Sequence, residues 1–127
     1  MTSSDDNDRH VLEQAKIAIS KGHHDPNNLR NLLIWTTARP TAPMIREYFH
    51  RHLEDRQLLR ELIAIALDGE DHGDAPWAAA NVITEFPGKL LREIEPELHR
   101  LSNEEWDYLN APAKMALSKI RDATRES

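Results

Sequence analysis

A helix opening recurs three times along the chain, each time as a capping residue, then alanine, then proline. The copies are Thr41-Ala42-Pro43, Asp74-Ala75-Pro76 and Asn110-Ala111-Pro112. The first side chain can accept the free N–H groups of a first helical turn, and proline is tolerated there because its missing N–H is not needed. Asp25-Pro26 has the same opening without the alanine. A repeat of 30 to 40 residues indicates stacked helix pairs.

Apolar residues recur every three or four positions in the segments between these openings, beginning at about Asp8. The stripe in residues 58–66 is wider than a single surface helix needs, and residues 77–86 carry two uncharged faces. Both helices are therefore expected to be covered on more than one side. We expect a break near Leu53–Asp55 and a kink or restart at Pro96. No stretch alternates as a strand does, so the sequence predicts an all-α chain of about seven or eight helices.

The segment that follows residue 101 is predicted to hold a short extra helix. Ser102 to Glu105 has the spacing of a capping box, and Trp106 and Leu109 follow it. We interpret Trp106 as a plug between helical layers. The last helix is then expected to open at Asn110.

Composition and length favour one helical domain of ordinary size. The chain has 127 residues and no cysteine, which excludes disulfides, cysteine nucleophiles and thiolate zinc sites. We predict a disordered acidic leader over residues 1–8 and a single helical-repeat domain over residues 9–127. The polar acidic start does not resemble a secretory signal, and no apolar run is long enough to cross a membrane. A cytoplasmic protein without membrane contact is therefore expected.

Charge is distributed unevenly around a net value of −6. Residues 30–60 hold six arginines against three acidic residues, whereas residues 61–110 hold twelve acidic residues against three basic ones. The acidic half is expected to attract a basic partner, although an acidic excess also serves solubility alone. A nucleic-acid partner would have to use the arginine-rich part, and the net charge does not favour one.

The segment from Asp74 to Ile83 and its echo from Asn110 to Ile120 resemble the HEAT-like repeat of the phycobilin-lyase type. The resemblance implies a short α-solenoid, a right-handed stack of antiparallel helix pairs. It also implies a recognition surface, since such proteins mostly bind other proteins, a minority bind nucleic acid, and a few act as chaperone-like lyases on a bound pigment. An irregular helical bundle is the alternative fold.

Candidate chemistry is sparse. In the polar loop from Asp68 to Asp74, Asp68, Glu70 and His72 fall at the first, third and fifth positions of a calcium loop. The twelfth position, which needs a bidentate glutamate, is Ala79. His50 and His52 are two positions apart and point to different sides of a helix. We therefore expect no catalytic residues, no metal and no cofactor.

The loop is instead interpreted as part of a partner-binding surface. Trp77, one turn beyond it, is either a partner contact or a packing residue. The expected partner-binding residues are Asp68, Glu70, Asp71, His72, Asp74, Trp77, Glu104 and Glu105. The expected function is a non-catalytic binding module that docks and occludes a basic protein partner, as an immunity-type inhibitor of a bacterial toxin does. The alternative is a chaperone-like or lyase-related protein that holds a small molecule or client in a groove.

Overall fold

The computed structural model describes the backbone of residues 3–68 and 74–126, with side chains for residues 9–68 and 74–123. All regular structure in these ranges is helical, which confirms the all-α prediction. The helices are α1 (Ser3–Lys21), α2 (Pro26–Trp35), α3 (Ala42–His50), α4 (Arg56–Ala66), α5 (Asp74–Ile83), α6 (Gly88–Leu91), α7 (Glu95–Ser102) and α8 (Asp107–Glu126), with a 3-10 turn at Arg92–Ile94 between α6 and α7. None of the helices described has the length and apolar character needed to span a membrane.

The chain forms two compact units. The N-terminal unit, residues 1–51, contains α1 to α3, and the C-terminal unit, residues 52–127, contains α4 to α8. The leader over residues 1–8, the single domain over residues 9–127 and the HEAT-like stack stay predictions.

In the N-terminal unit the turn between α1 and α2 is fixed by side-chain hydrogen bonds. Gly22, with φ of 79°, ends α1 in a conformation that glycine adopts without strain. Asp25 caps α2 as predicted, since its carboxylate accepts from the backbone N–H of Asn27 at 3.0 Å. The buried amide of Asn28 donates to the backbone oxygens of Ala18, at 2.8 Å, and of Gly22. The end of α1 is thereby held against the start of α2.

Thr41 precedes α3, as predicted, but it does not cap the helix with its side chain. Its buried hydroxyl points backwards and donates to the backbone oxygen of Trp35 at 2.6 Å. The residue therefore satisfies the C-terminal end of α2 and fixes the α2–α3 turn. The buried side chains of Ile45 and Phe49 then pack α3 into the core of this unit.

The C-terminal unit is built around α5, which packs against both α4 and α8. Buried alanines occupy several sides of this helix, so it is covered on more than one side, as its two uncharged faces predict. The break before α4 is also confirmed, because Asp55 caps that helix by accepting from the N–H of Leu58 at 3.1 Å. Pro96 lies in the first turn of α7, as the predicted restart requires.

The predicted boundaries between residues 102 and 112 are wrong. Ser102 is the last residue of α7, and its hydroxyl donates to the backbone oxygen of His99 at 2.7 Å instead of capping a new helix. The last helix begins at Asp107, not at Asn110, and Pro112 lies inside it.

A continuous apolar face explains why α8 passes through Pro112. Leu109, Pro112, Ala113 and Ala116 follow helical spacing and are all buried. Proline removes one backbone hydrogen bond, the one to the oxygen of Tyr108, close to the helix start. Burial of that face outweighs the loss of a single bond.

The end of α5 and the start of α6 are tied to α8. The ammonium group of Lys119 donates to the backbone oxygen of Thr84, just past α5, at 2.7 Å. Burial lowers the pKa of Lys119, and Glu85 opposes this in part. Gly88 begins α6 so close to α8 that an added Cβ would lie 2.7 Å from the Cβ of Ala123 and 2.8 Å from the backbone oxygen of Lys119.

Gly88→Ala tests this close approach. At an open helical site alanine stabilises relative to glycine, but here the methyl group meets backbone that cannot yield cheaply. We expect the free energy of unfolding to fall by about 1–3 kcal/mol in urea titrations. Lys89→Ala, on the exposed neighbouring residue, is the control and should change it by less than about 0.5 kcal/mol. A Gly88→Ala protein as stable as the wild type would show that α6 and α8 are not in close contact.

Candidate functional site

The predicted acidic loop is only partly within the described residues. Asp68 follows α4 and is half-buried, and Asp74 is the exposed first residue of α5. Asp74 therefore lies in the first turn, where the helix dipole favours its charge. Trp77 lies three residues further on and is 40% exposed, which leaves it open to a partner. Glu70, Asp71 and His72 lie outside the described residues.

Glu104 and Glu105 lie in the turn between α7 and α8, and both are exposed. Two aromatic residues follow them. Trp106 is 51% exposed and Tyr108 is 39% exposed. The two rings stack, with centroids 6.2 Å apart and planes inclined by 28°. The interpretation of Trp106 as a plug between layers is therefore wrong, because half of its surface faces solvent.

Hydrogen bonds fix the backbone of this turn, while the two rings are exposed to solvent. The backbone oxygen of Trp106 accepts from the N–H groups of Leu109 and Asn110, both at 3.0 Å, so Trp106 occupies the cap position of α8. Leu109 is buried and anchors the first turn. The side-chain amide of Asn110 donates to the backbone oxygen of Glu104 at 2.8 Å, which fixes the preceding residues.

The aromatic pair continues into an exposed apolar stripe. Tyr108, Ala111 and Met115 are spaced by three and four residues, so they lie on one face of α8. Met115 is 62% exposed. We refer to Trp106, Tyr108, Ala111 and Met115 as the α8 face.

Three exposed acidic residues, Glu104, Glu105 and Asp107, are sequence neighbours of the aromatic pair, and we call them the acidic rim. Among the side chains that the structure describes, none forms an ion pair with them. The contrast is Glu93 in the same unit, whose carboxylate lies 2.9 Å from Arg56 and 3.9 Å from Arg60. The acidic excess is thus neutralised at Glu93 and left open at the rim.

A purely structural role accounts for part of this arrangement. Glu105 and Asp107 lie at the positive end of the α8 dipole and stabilise the helix by a few tenths of a kcal/mol, up to about 1 kcal/mol. That role does not require exposed rings. Large apolar side chains that are exposed next to one another often mark an interaction site, whereas single scattered ones do not.

Two concave regions lie elsewhere. A groove of about 190 Å³ between α1 and α2 is bordered by Ile17, Lys21 and Ile34. A groove of about 650 Å³ in the C-terminal unit lies beside Arg56 and Lys89. Two polar groups of the larger groove already serve the fold, since Arg56 binds Glu93 and Asp55 caps α4.

Sequence reasoning found the rim residues Glu104 and Glu105 but missed Tyr108 and Met115. The signal was present, since residues seven apart lie on one face of a helix. The predicted start of the last helix at Asn110 places Tyr108 on a separate element, so this spacing does not show in the prediction.

Comparison of the chain with protein-family models, with curated proteins and with solved structures gave no match. The resemblance to HEAT-like repeats stays a prediction, and the geometry of the site carries the functional argument.

Trp106→Ala tests whether the aromatic pair serves the fold. Because Trp106 is half-exposed, its replacement by alanine should lower the free energy of unfolding by at most about 1.5 kcal/mol, which is the contribution of one aromatic contact. Phe86→Ala, which removes a fully buried ring from the same unit, should cost about 3–5 kcal/mol. Urea titrations of the two variants give the comparison. Equal losses would identify Trp106 as a core residue and remove it from the site.

Proposed function

We propose that this protein binds a basic protein partner through the α8 face and its acidic rim, without catalysing a reaction. One observation carries the proposal: two exposed, stacked aromatic rings are adjacent in sequence to three exposed acidic residues whose carboxylates form no ion pair in the described part of the chain. Tryptophan and tyrosine are enriched at the energetic centres of protein interfaces, and charged residues are more common at the edges. The α8 face with its rim has this arrangement.

The sign of the charge supports a basic partner. Residues 61–110 carry a large acidic excess, which attracts a basic protein over a distance and speeds its encounter with the rim. The arginine-rich part of the chain is less suited to binding nucleic acid than its composition indicates. Arg51 lies 2.6 Å from Glu47, and Arg56 lies 2.9 Å from Glu93, so both arginines are already paired with carboxylates.

The biological role that we infer is inhibition by occlusion, as in immunity-type proteins that neutralise bacterial toxins. Many toxins act on nucleic acids and use a basic groove for phosphates. Carboxylates in the turn before α8 and at the first residue of that helix can occupy such a groove in place of phosphates, while the rings bury apolar surface beside it. The rim is one candidate for this contact, and Asp74 with Trp77 on α5 is a second.

The test is capture with matched baits, followed by measured binding. The full-length protein, a Glu104→Lys/Glu105→Lys variant and a Glu54→Lys variant are each used to capture partners from the native host. Glu54 is an exposed acidic residue before α4 and serves as the charge-reversal control at a single site, with half the charge change of the rim variant. We expect a basic protein on the wild-type and Glu54→Lys baits that is absent from the rim variant.

The captured protein is then purified and its Kd measured at two salt concentrations. The affinity should fall about tenfold or more from 50 to 300 mM salt, and by at least about tenfold in the rim variant, mostly through the association rate. A neutral or acidic partner, or equal affinity of the rim variant, would contradict docking at this site. Coexpression that fails to relieve toxicity of the partner would contradict the inhibitor role alone.

A further inference from the structure

We propose that the group docked on the α8 face is an arginine side chain of the partner, stacked on the outer surface of the Trp106–Tyr108 pair and bound at its edge by the acidic rim. The inference rests on the proposed function and specifies which basic residue the site recognises.

The ring geometry sets where a cation can lie. The centroids of Trp106 and Tyr108 are 6.2 Å apart. A planar group between two rings needs roughly 7 Å, twice the ~3.5 Å contact distance. The guanidinium therefore does not enter between the rings but lies on an exposed ring surface. Tryptophan offers the most favourable surface for a cation, and arginine is the cation most often found there.

The rim favours arginine over lysine for a second reason. A guanidinium is flat, so it can lay its face on a ring while its N–H groups point sideways to a carboxylate. Glu105 and Asp107 flank Trp106 directly in sequence, and neither has an ion-pair partner in the described residues. An ammonium group is compact and strongly hydrated, so it cannot make both contacts at once.

The apolar part of the face fits the rest of such a segment. Met115 lies two helical turns from Tyr108 on the same side of α8 and is largely exposed. A flexible thioether adapts to different apolar shapes, so it can cover the aliphatic stem of an arginine or a neighbouring apolar side chain. The positive end of the α8 dipole opposes a cation, but three carboxylates outweigh a charge of about one half.

The experiment compares two peptides that differ only in the basic residue. Each is a ten-residue peptide with one central leucine and three basic residues, arginine in one and lysine in the other, titrated into the full-length protein by calorimetry at 150 mM salt. We expect the arginine peptide to bind roughly fivefold more tightly. Trp106→Leu should abolish that preference, whereas Trp106→Phe should keep part of it. Circular dichroism confirms that each variant is folded.

Trp77→Leu is the matched control, because Trp77 is the other substantially exposed tryptophan of this unit and lies on α5. The preference for arginine should survive this change. Its loss in Trp77→Leu, and not in Trp106→Leu, would place the preference on α5 and overturn the inference.

The outcomes separate the inference from the function beneath it. Equal binding of both peptides, weakened in the Glu104→Gln/Glu105→Gln variant, would overturn the arginine assignment and leave the basic-partner function standing. Binding of neither peptide at millimolar concentration would overturn the inference, and the captured partner then decides the function. A self-association constant, measured by sedimentation, that weakens in Trp106→Leu would show a second copy on the face and would also overturn it.

Discussion

The C-terminal unit depends on the close packing of α5 against α4 and α8. The exposed side of α5 is narrow, and its buried positions are mostly alanines, with Val82 and Ile83 completing the apolar surface. Small side chains let neighbouring helices approach closely, and a closely packed interior resists displacement of any one helix. Because α5 contacts both α4 and α8, its position determines theirs. The surfaces that α8 presents are therefore consequences of how α5 is buried.

Contacts in both halves of α8 hold this helix in place within the unit. In its C-terminal half, Lys119 donates a hydrogen bond to the backbone oxygen of Thr84. The missing side chain of Gly88 lets α6 lie directly against α8. Near its N-terminus, Leu109 is buried and Asn110 is bonded to the backbone of Glu104. The rings of Trp106 and Tyr108 stand on this fixed end. A preorganised aromatic pair loses less conformational entropy on binding than a pair on a flexible loop, which favours affinity.

Much of the helical framework was predictable because its signals are local. Asp25 and Asp55 precede helices and cap them, and Pro96 marks a restart, all within a few residues of the boundary concerned. The failures arose where tertiary packing overrides local preference. Pro112 looks like a first-turn residue, yet the buried face through Leu109 and Ala113 carries the helix across it. Thr41 occupies a cap position while its hydroxyl serves the preceding helix.

At the candidate site, too, the sequence predicts the composition but not the tertiary contacts, here the ion pairs. The distribution of charge along the sequence indicates that residues 61–110 are acidic, but it does not show which carboxylates lack an ion-pair partner. Glu93 contributes to the acidic excess but forms ion pairs with Arg56 and Arg60. Glu104 and Glu105 form no ion pair within the described residues. Surface ion pairs and surface carboxylates alike contribute little to folding. The rim therefore matters for what it can bind, and the rings beside it supply the apolar area, at about 25 cal/mol per Å² buried, that charge alone does not.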